Sequence, residues 1–204
     1  MADKQASPPS SVEGKLVAAI ERLSQALRTA LGAAARAKGL SPLQTQVLTY
    51  LLASGDKPNP SEVAARFQIT LPTLSDALAS LEAKGLITRA GDSTDSRRRV
   101  LRLTAKGRRH AKLIASWTRA IEEQFVSWSE AEKGRLLDDL LRLIGQLQAV
   151  GLISVSRMCR TCVYFQPDRY KDPGQPHHCR LLGKPLRLIE LRVDCPDYEP
   201  APTS

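Results

Sequence analysis

The sequence is poor in aromatic residues and has no long apolar run. Phe, Trp and Tyr make up 4% of its 204 residues, although hydrophobic residues make up 42%. This balance is typical of a helical protein rich in leucine and alanine, and it argues against a β-sandwich. Because no run of about 18 uncharged apolar residues and no secretory signal pattern is present, we predict a cytoplasmic protein without a membrane span.

Acidic residues are also in short supply. The chain has 30 Lys and Arg residues against 21 Asp and Glu residues, which gives a net charge of +9. This excess indicates a polyanionic partner, either nucleic acid or an anionic membrane surface. The sequence offers no Ser/His/Asp set and no paired carboxylates in a catalytic pattern, so we do not expect an enzyme.

Helical periodicity dominates residues 12–150, which follow a Pro- and Ser-rich segment, residues 1–11, that we expect to be disordered. The predicted order is three helices, a turn, a fourth helix, a two-stranded hairpin and two further helices. The ranges are 12–37, 42–53, 62–67 (capped by Ser61) and 71–84, then strands 86–89 and 99–103, then helices 104–125 and one after Ser129. Because an isolated hairpin is unstable, it must pack on the helices before it, as in a mainly α winged helix-turn-helix fold.

The third and fourth helices form the candidate helix-turn-helix. Apolar residues on both helices give them a shared core face: Val63, Ala64, Phe67, Leu74, Leu78 and Leu81. Pro72, Thr73 and Ser75 then point outward near the start of the fourth helix. Small and hydroxyl side chains at a helix N-terminus suit the DNA major groove, so we predict that these three contact DNA. The alternative is that they are ordinary solvated positions.

Positive charge is concentrated on the hairpin and the helix after it. Residues 85–112 contain nine Lys and Arg residues against two Asp residues. Arg97, Arg98, Arg99 and Arg102 are expected at or beside the hairpin tip. A basic run is often only a solvated face, but this concentration beside a candidate recognition helix favours contacts with phosphates and the minor groove.

Three motifs in register resemble the MarR family of bacterial transcriptional regulators. The first is Ser61-Glu-Val-Ala-Ala-Arg-Phe with Thr73-Leu-Ser-Asp, and the second is Leu81-Glu-Ala-Lys-Gly-Leu-Ile. The third is Asp95-Ser-Arg97 followed by Leu101-Arg-Leu-Thr104. The resemblance covers residues 12–150, which we take as the DNA-binding and dimerisation domain.

The resemblance implies specific roles for wing residues and a dimer. In that family the aspartate of the wing orients the arginine that enters the minor groove, and Asp95 and Arg97 match that pair. Asp76 departs from the family pattern, and we assign it no base contact. The first helix and the last two helices are implied to form a homodimer interface, which would place two recognition helices on a pseudo-palindromic operator. Packing of the final apolar stripe within one subunit is the alternative.

Residues 151–204 form a tail that contains every cysteine of the chain. Cys159, Cys162, Cys179 and Cys195 follow the spacing C-x2-C-x16-C-x15-C. In a cytoplasmic protein such a set indicates metal ligands more than structural disulfides, and four thiolates suit a zinc ion or an iron–sulfur cluster. The tail also resembles small high-potential iron–sulfur domains in Cys-x-x-Cys-x-Tyr-Phe and in the terminal Cys-Pro-Asp-Tyr-Glu. We favour iron–sulfur over zinc, with free or disulfide-forming thiols as the third alternative.

The leading interpretation is a dimeric DNA-binding regulator, a repressor, whose tail responds to metal or redox state. His177 and His178 precede Cys179, and we expect them to be supporting or surface residues and not ligands. The alternatives are a regulator that responds to a small aromatic or phenolic effector while a zinc tail is only structural, and a tail that docks a protein partner.

Overall fold

The computed structural model describes residues 11–54, 58–91, 99–154 and 156–202. The chain divides into two compact units. Unit 1 consists of Met1–Pro58 and Asp76–Ile121, and unit 2 consists of Asn59–Ser75 and Glu122–Ser204. None of the helices in the described ranges is both long and apolar enough to cross a bilayer.

Unit 1 is built on helices and one hairpin. It contains α1 (Val12–Arg36), α2 (Pro42–Ala53), most of α4 (Leu71–Ala83), β1 (Ile87–Gly91), β2 (Arg99–Leu103) and α5 (Ala105–Ile114). Helix α2 contacts α1, α5 and β2, and its Val47 and Leu48 are fully buried. A capping box between Ser41 and Gln44, with Pro42 in the first turn, begins α2 as the sequence predicts.

Unit 2 contains the start of the helix-turn-helix and the whole of the tail. Helix α3 (Pro60–Phe67) precedes the first turn of α4, and α7 (Glu130–Ala149) precedes three short strands, β3 (Phe165–Gln166), β4 (His177–Cys179) and β5 (Lys184–Leu186). The strands form an antiparallel sheet in the order β3-β4-β5. The sequence did not predict this sheet, because strands of two or three residues are too short to show a hydrophobic period.

Two helices differ from the sequence prediction by more than one residue. Helix α3 is capped by Asn59 and not by Ser61, because Asn59 and Glu62 form a reciprocal capping box and Pro60 takes the first turn. The helix expected over residues 104–125 is also interrupted. It ends as α5 at Ile114, and 3₁₀ turns flank the short α6 (Arg119–Glu122).

Helix α7 shares a hydrophobic core with the tail. Leu141 and Met158 are fully buried together with Leu186 and Leu191, and Leu137 and Ile144 pack against them. Gly134 permits a close approach, since a Cβ there would lie 2.8 Å from the Leu188 Cβ. The apolar stripe of α7 is therefore divided: one side packs on the tail of the same chain, whereas Leu140 is 42% exposed.

Candidate nucleic-acid interface and candidate metal centre

The first turn of α4 presents small side chains to solvent. Pro72, Thr73 and Ser75, the predicted DNA-contacting residues of this helix, are all exposed. Leu74 between them is fully buried, as the predicted core face requires. Asp76, the residue that departs from the family pattern, is also exposed.

A tight turn sets the start of α4. Gln68 ends α3 in the left-handed region with φ 53°, and the backbone N–H of Ile69 donates to the Ala64 carbonyl at 3.1 Å. The Thr70 hydroxyl oxygen accepts from the backbone N–H of Thr73 at 3.3 Å. The predicted turn at residues 68–70 is thus present, and Thr70 acts as a capping residue that the sequence analysis missed.

The wing is an antiparallel hairpin whose described part ends at Arg99. The register runs from Ile87 opposite Leu103 to Gly91 opposite Arg99, and the Arg99 side chain is exposed. Three predicted wing residues, Asp95, Arg97 and Arg98, lie outside the described residues. Arg102, expected at or beside the tip, pairs with Thr88 near the base and is half-buried.

The base of the wing is held by a close backbone approach. The Thr104 hydroxyl donates to the Gly85 carbonyl at 2.8 Å, and its oxygen accepts from the backbone N–H of Gly107 at 2.9 Å. A Cβ at Gly107 would lie 1.7 Å from the Leu86 carbonyl oxygen. Only glycine therefore allows α5 to begin directly under β1.

Helix α5 adds a second strip of positive charge. It contains four Lys and Arg residues and no acid, and all four side chains are exposed: Arg108, Arg109, Lys112 and Lys106. The fourth, Lys106, donates to the Lys84 carbonyl at 2.8 Å. Exposed arginine and lysine side chains beside a wing are suited to contacts with phosphate oxygens.

The tail brings cysteines that are distant in sequence to one cavity. Cys159, Cys179 and Cys195 line a cavity of about 280 Å³, whose apolar part includes Leu181, Leu182 and Leu186. All four cysteines are half-buried and carry free thiols. Within the described ranges, no three His, Cys, Asp or Glu side chains are grouped so that they could hold a single metal ion.

Arg192 donates hydrogen bonds to two of the thiol sulfurs. Its backbone N–H donates to Cys159 Sγ at 3.2 Å, and its Nη1 donates to Cys195 Sγ at 3.5 Å. Burial raises the pKa of the Cys159 thiol, the Arg192 N–H lowers it, and charge on the other three cysteines raises it. Arg192 was not among the residues predicted from the sequence, although a basic residue close before a cysteine is a usable signal.

The two histidines of the tail lie apart from the cavity lining. His177 is 1% exposed, its Nδ1 accepts from the Asp168 N–H at 3.1 Å, and its Nε2 is 3.4 Å from Asp138 Oδ1. His178 Nδ1 is 2.8 Å from the Tyr170 hydroxyl. Both histidines therefore have polar contacts with residues other than the cysteines.

Ion pairs join residues adjacent to cysteines with helices α7 and α3. Arg160, which follows Cys159, donates from Nε to Asp138 Oδ1 of α7 at 2.9 Å, and both side chains are largely buried. Asp194, which precedes Cys195, pairs with Arg66 of α3 at 3.2 Å. No local sequence pattern indicates either pair, because the partners are far apart along the chain.

Comparisons with known proteins point to one family. A protein-family model with the description MarR family matches residues 38–98 of the sequence. Transcriptional regulator HosA of Escherichia coli O127:H6 is 34% identical over 92 residues, which cover 44% of this chain and 68% of HosA. HosA of Escherichia coli O111:H- is 33% identical over 92 residues.

Solved structures with the same fold include those of MepR from Staphylococcus aureus. The structure of S. aureus MepR in its DNA-binding conformation superposes with a TM-score of 0.60 at 27% identity, and the match covers 65% of this chain and 98% of MepR. An S. aureus MepR–DNA complex gives a TM-score of 0.56 at 27% identity, covering 64% of this chain and 97% of MepR. About a third of this chain therefore has no counterpart in either match.

Proposed function

This chain belongs to the MarR family of transcriptional regulators, and from that premise we propose that it is a dimeric repressor whose cysteine tail holds an iron–sulfur cluster. Membership of the family supports DNA binding by the winged helix-turn-helix. Operator specificity, repression, dimerisation and control by the tail are our proposals. The observation that supports the DNA-binding proposal most is the exposed first turn of α4, in a chain that also exposes Arg99 of the wing and the basic residues of α5.

The proposed DNA contacts divide into base readout and phosphate binding. Pro72, Thr73 and Ser75 would approach base edges in the major groove, since small side chains let the helix enter deeply. Arg97, with Asp95 orienting it, would enter the minor groove, and Arg98 and Arg99 would neutralise phosphates. A bound dimer on a pseudo-palindromic operator near a promoter would then block transcription.

Substitution of wing arginines tests the DNA-binding proposal. We expect Arg97→Ala to weaken operator binding by more than tenfold, and Arg99→Ala to weaken it less while lowering the magnitude of the salt-dependence slope by about 1. Arg169→Ala removes the same charge from an exposed position of the tail and should leave specific binding unchanged. Titration of a labelled operator at several salt concentrations measures both quantities, and equal affinities for all three variants would refute the wing model.

Exposed apolar residues support the proposal of a dimer. In unit 1, α1 exposes Leu16 by 59%, Ile20 by 43% and Leu23 by 63%, all on the helical spacing that the sequence predicts. In unit 2, Leu140 of α7 is 42% exposed. A stripe of this kind is covered by a partner more often than by water, and the occupant we propose is a second copy of the chain. Leu23→Glu should shift the protein towards monomer in sedimentation experiments and weaken operator binding, whereas an unchanged dimer would exclude α1 from the interface.

The cavity among the thiols supports a cluster over a single zinc ion. In a tetrahedral zinc site each sulfur lies about 2.3 Å from the metal, so all four sulfurs must crowd together. Three of the four thiols, those of Cys159, Cys179 and Cys195, face a cavity of about 280 Å³. A cavity of this size suits a cofactor of several atoms. Cys159, Cys162, Cys179 and Cys195 would hold the cluster, with Arg192 donating to two sulfurs, a contact type that tunes iron–sulfur centres.

Metal analysis of anaerobically purified protein tests the cofactor. We expect iron and acid-labile sulfide with visible absorption, and Cys159→Ser should remove all three signals. One zinc per chain in a colourless protein would instead favour the alternative in which the tail is structural and a small aromatic effector controls DNA binding. If Cys159→Ser removes the cofactor without changing operator affinity, the tail is not a sensor.

A further inference from the structure

We propose that Asp194 transmits the state of the cysteine site to the helix-turn-helix through its ion pair with Arg66. The inference rests on the proposed function, since it requires a cofactor in the tail that alters operator affinity. To the proposed function it adds the contacts through which the cysteine site acts on the helix-turn-helix. The contacts that form this route all lie within unit 2.

The first step of the route ties Asp194 to the cofactor ligands. Two backbone segments lie side by side: the Cys195 N–H donates to the Arg157 carbonyl at 2.7 Å, and the Cys159 N–H donates to the Arg192 carbonyl at 3.1 Å. Cys159 and Cys195 also line the same cavity. Loss of a cofactor bound to both thiols would therefore loosen this pair of segments, and Asp194 is the residue directly before Cys195.

The second step ties Asp194 to α3. One carboxylate oxygen of Asp194 lies 3.2 Å from Arg66 Nη2, and the other lies 3.5 Å from Arg157 Nε. A second contact reaches the same end of α3, where the Ser154 hydroxyl donates to the Ala65 carbonyl at 3.2 Å. The tail is thus fastened to the last turn of α3 at two adjacent residues.

The third step leads from α3 to the residues proposed to read DNA. Only the three-residue turn at residues 68–70 separates Phe67, the end of α3, from Leu71, the start of α4. The Ile69 N–H is bonded back to Ala64, and Thr70 is bonded to Thr73. A short, bonded turn passes a displacement of α3 to the first turn of α4, because it has few freely rotating bonds to absorb the change.

The size of the effect follows from the exposure of the pair. The Arg66 and Asp194 side chains are 29% and 38% exposed, so solvent screens their attraction. Partly exposed ion pairs change an equilibrium by up to about fivefold. We therefore expect Asp194 to account for a few-fold difference in operator affinity between the cofactor-loaded and cofactor-free proteins.

The experiment compares that affinity ratio among three full-length variants. Asp194→Asn removes the charge, and Asp194→Glu keeps it. Glu199→Gln removes one negative charge elsewhere in the tail, where the Glu199 carboxylate accepts from the Tyr164 hydroxyl at 2.6 Å. Each protein is titrated with operator DNA before and after removal of its iron with a chelator, at one salt concentration. Iron content is measured for every sample. Because the ratio is taken within each variant, the general effect of lost charge on DNA affinity cancels.

The outcomes separate the coupling route from the proposed function. A ratio that falls towards one in Asp194→Asn, is retained in Asp194→Glu and is unchanged in Glu199→Gln supports the route. A normal iron content and a wild-type ratio in Asp194→Asn overturn the route while leaving the sensor intact. A wild-type protein that binds no iron, or whose affinity does not respond to iron removal, overturns the proposed function and the route together.

Discussion

The hairpin of the wing and the small sheet of the tail are both antiparallel, but they differ in length and in what supports them. The wing hairpin has five residue pairs in register, and its buried residues Ile87, Val100 and Leu101 lie against a leucine-rich helical core. The sheet of the tail has two pairs between β3 and β4 and three between β4 and β5. Short sheets of this kind need other support, which in the tail consists of ion pairs, the side of α7 and, in our proposal, a cofactor.

The wing and the tail therefore depend on different interactions. The wing needs backbone geometry and apolar burial, both of which come from its own sequence neighbourhood. The tail needs charged side chains and thiols that meet from distant positions. Four perturbations should affect the wing and the tail to different extents.

Removal of the proposed cofactor should open the tail and leave the wing folded. Metal binding to thiolates contributes about 10–16 kcal/mol of folding free energy in small zinc domains, and a cluster in the tail should act on the same scale. We expect proteolysis after residue 150 to accelerate by more than tenfold, and hydrogen exchange in α2 and β2 to stay slow. An equal loss of protection from proteolysis and hydrogen exchange in the wing and in the tail would show that the two regions do not depend on different interactions.

Asp138→Asn should weaken the attachment of the tail to α7. The Asp138 and Arg160 side chains are 18% and 15% exposed, and breaking a buried pair leaves an uncompensated charge at a cost of about 3 kcal/mol. The neighbouring pair of Asp139 and Arg142 is about 60% exposed, so Asp139→Asn is a matched control with little expected change. Hydrogen exchange of the tail measures both effects, and equal effects would show that the burial of the first pair has no energetic importance.

Gly107→Ala should destabilise the wing without affecting the tail. A Cβ would lie 1.7 Å from the Leu86 carbonyl oxygen, and overpacking of this kind typically costs about 1–3 kcal/mol. Gly32→Ala is the control, because its Cβ would meet only the Arg36 side chain, at 3.3 Å. Thermal unfolding and operator titration should both show a loss for Gly107→Ala, with iron content unchanged. A fully stable Gly107→Ala protein would mean that α5 does not begin as described.

Acidification should reduce the stability of the tail more than that of the wing. Burial lowers the pKa of His177 from its ordinary value of 6.5, against an opposing effect of Asp138. The unfolded chain then binds the proton more readily than the folded one, so the stabilisation is full above pH 6.5 and declines as pH falls towards the lowered pKa. We expect His177→Asn to flatten this decline between pH 7 and pH 5 in hydrogen exchange of the tail. An identical pH profile in the variant would exclude His177 as its source.

Local patterns were sufficient to predict most of the winged region. The helical spacing of Leu74, Leu78 and Leu81 identified a buried face that the structure contains, and alternation in Arg99–Leu103 identified β2 with its observed bounds. Errors occurred where two local solutions compete, since both Asn59 and Ser61 are good caps for α3. The interruption after Ile114 also had no strong signal, because no proline or glycine lies at that point.

For the tail, the sequence predicted only which residue types could serve as ligands, and that prediction remains open. Cysteine spacing singles out Cys159 and Cys162, but it does not say what surrounds them. Arg192 beside the sulfurs and Arg66 beside Asp194 depend on how the chain returns on itself. Such contacts between distant residues are determined by tertiary packing. Tertiary packing leaves no periodic pattern in a single sequence from which it could be predicted.

The core that α7 shares with the tail has a consequence for how this protein can change in evolution. Leu141 is fully buried only because tail residues such as Met158 and Leu191 cover one side of α7. A descendant that lost the tail would expose this apolar side of α7 to water. The exposed patch would promote association with other proteins. Polar replacements at Leu137, Leu141 and Ile144 would have to accompany the loss. Tail and helix are therefore expected to be inherited, and to diverge, as one unit.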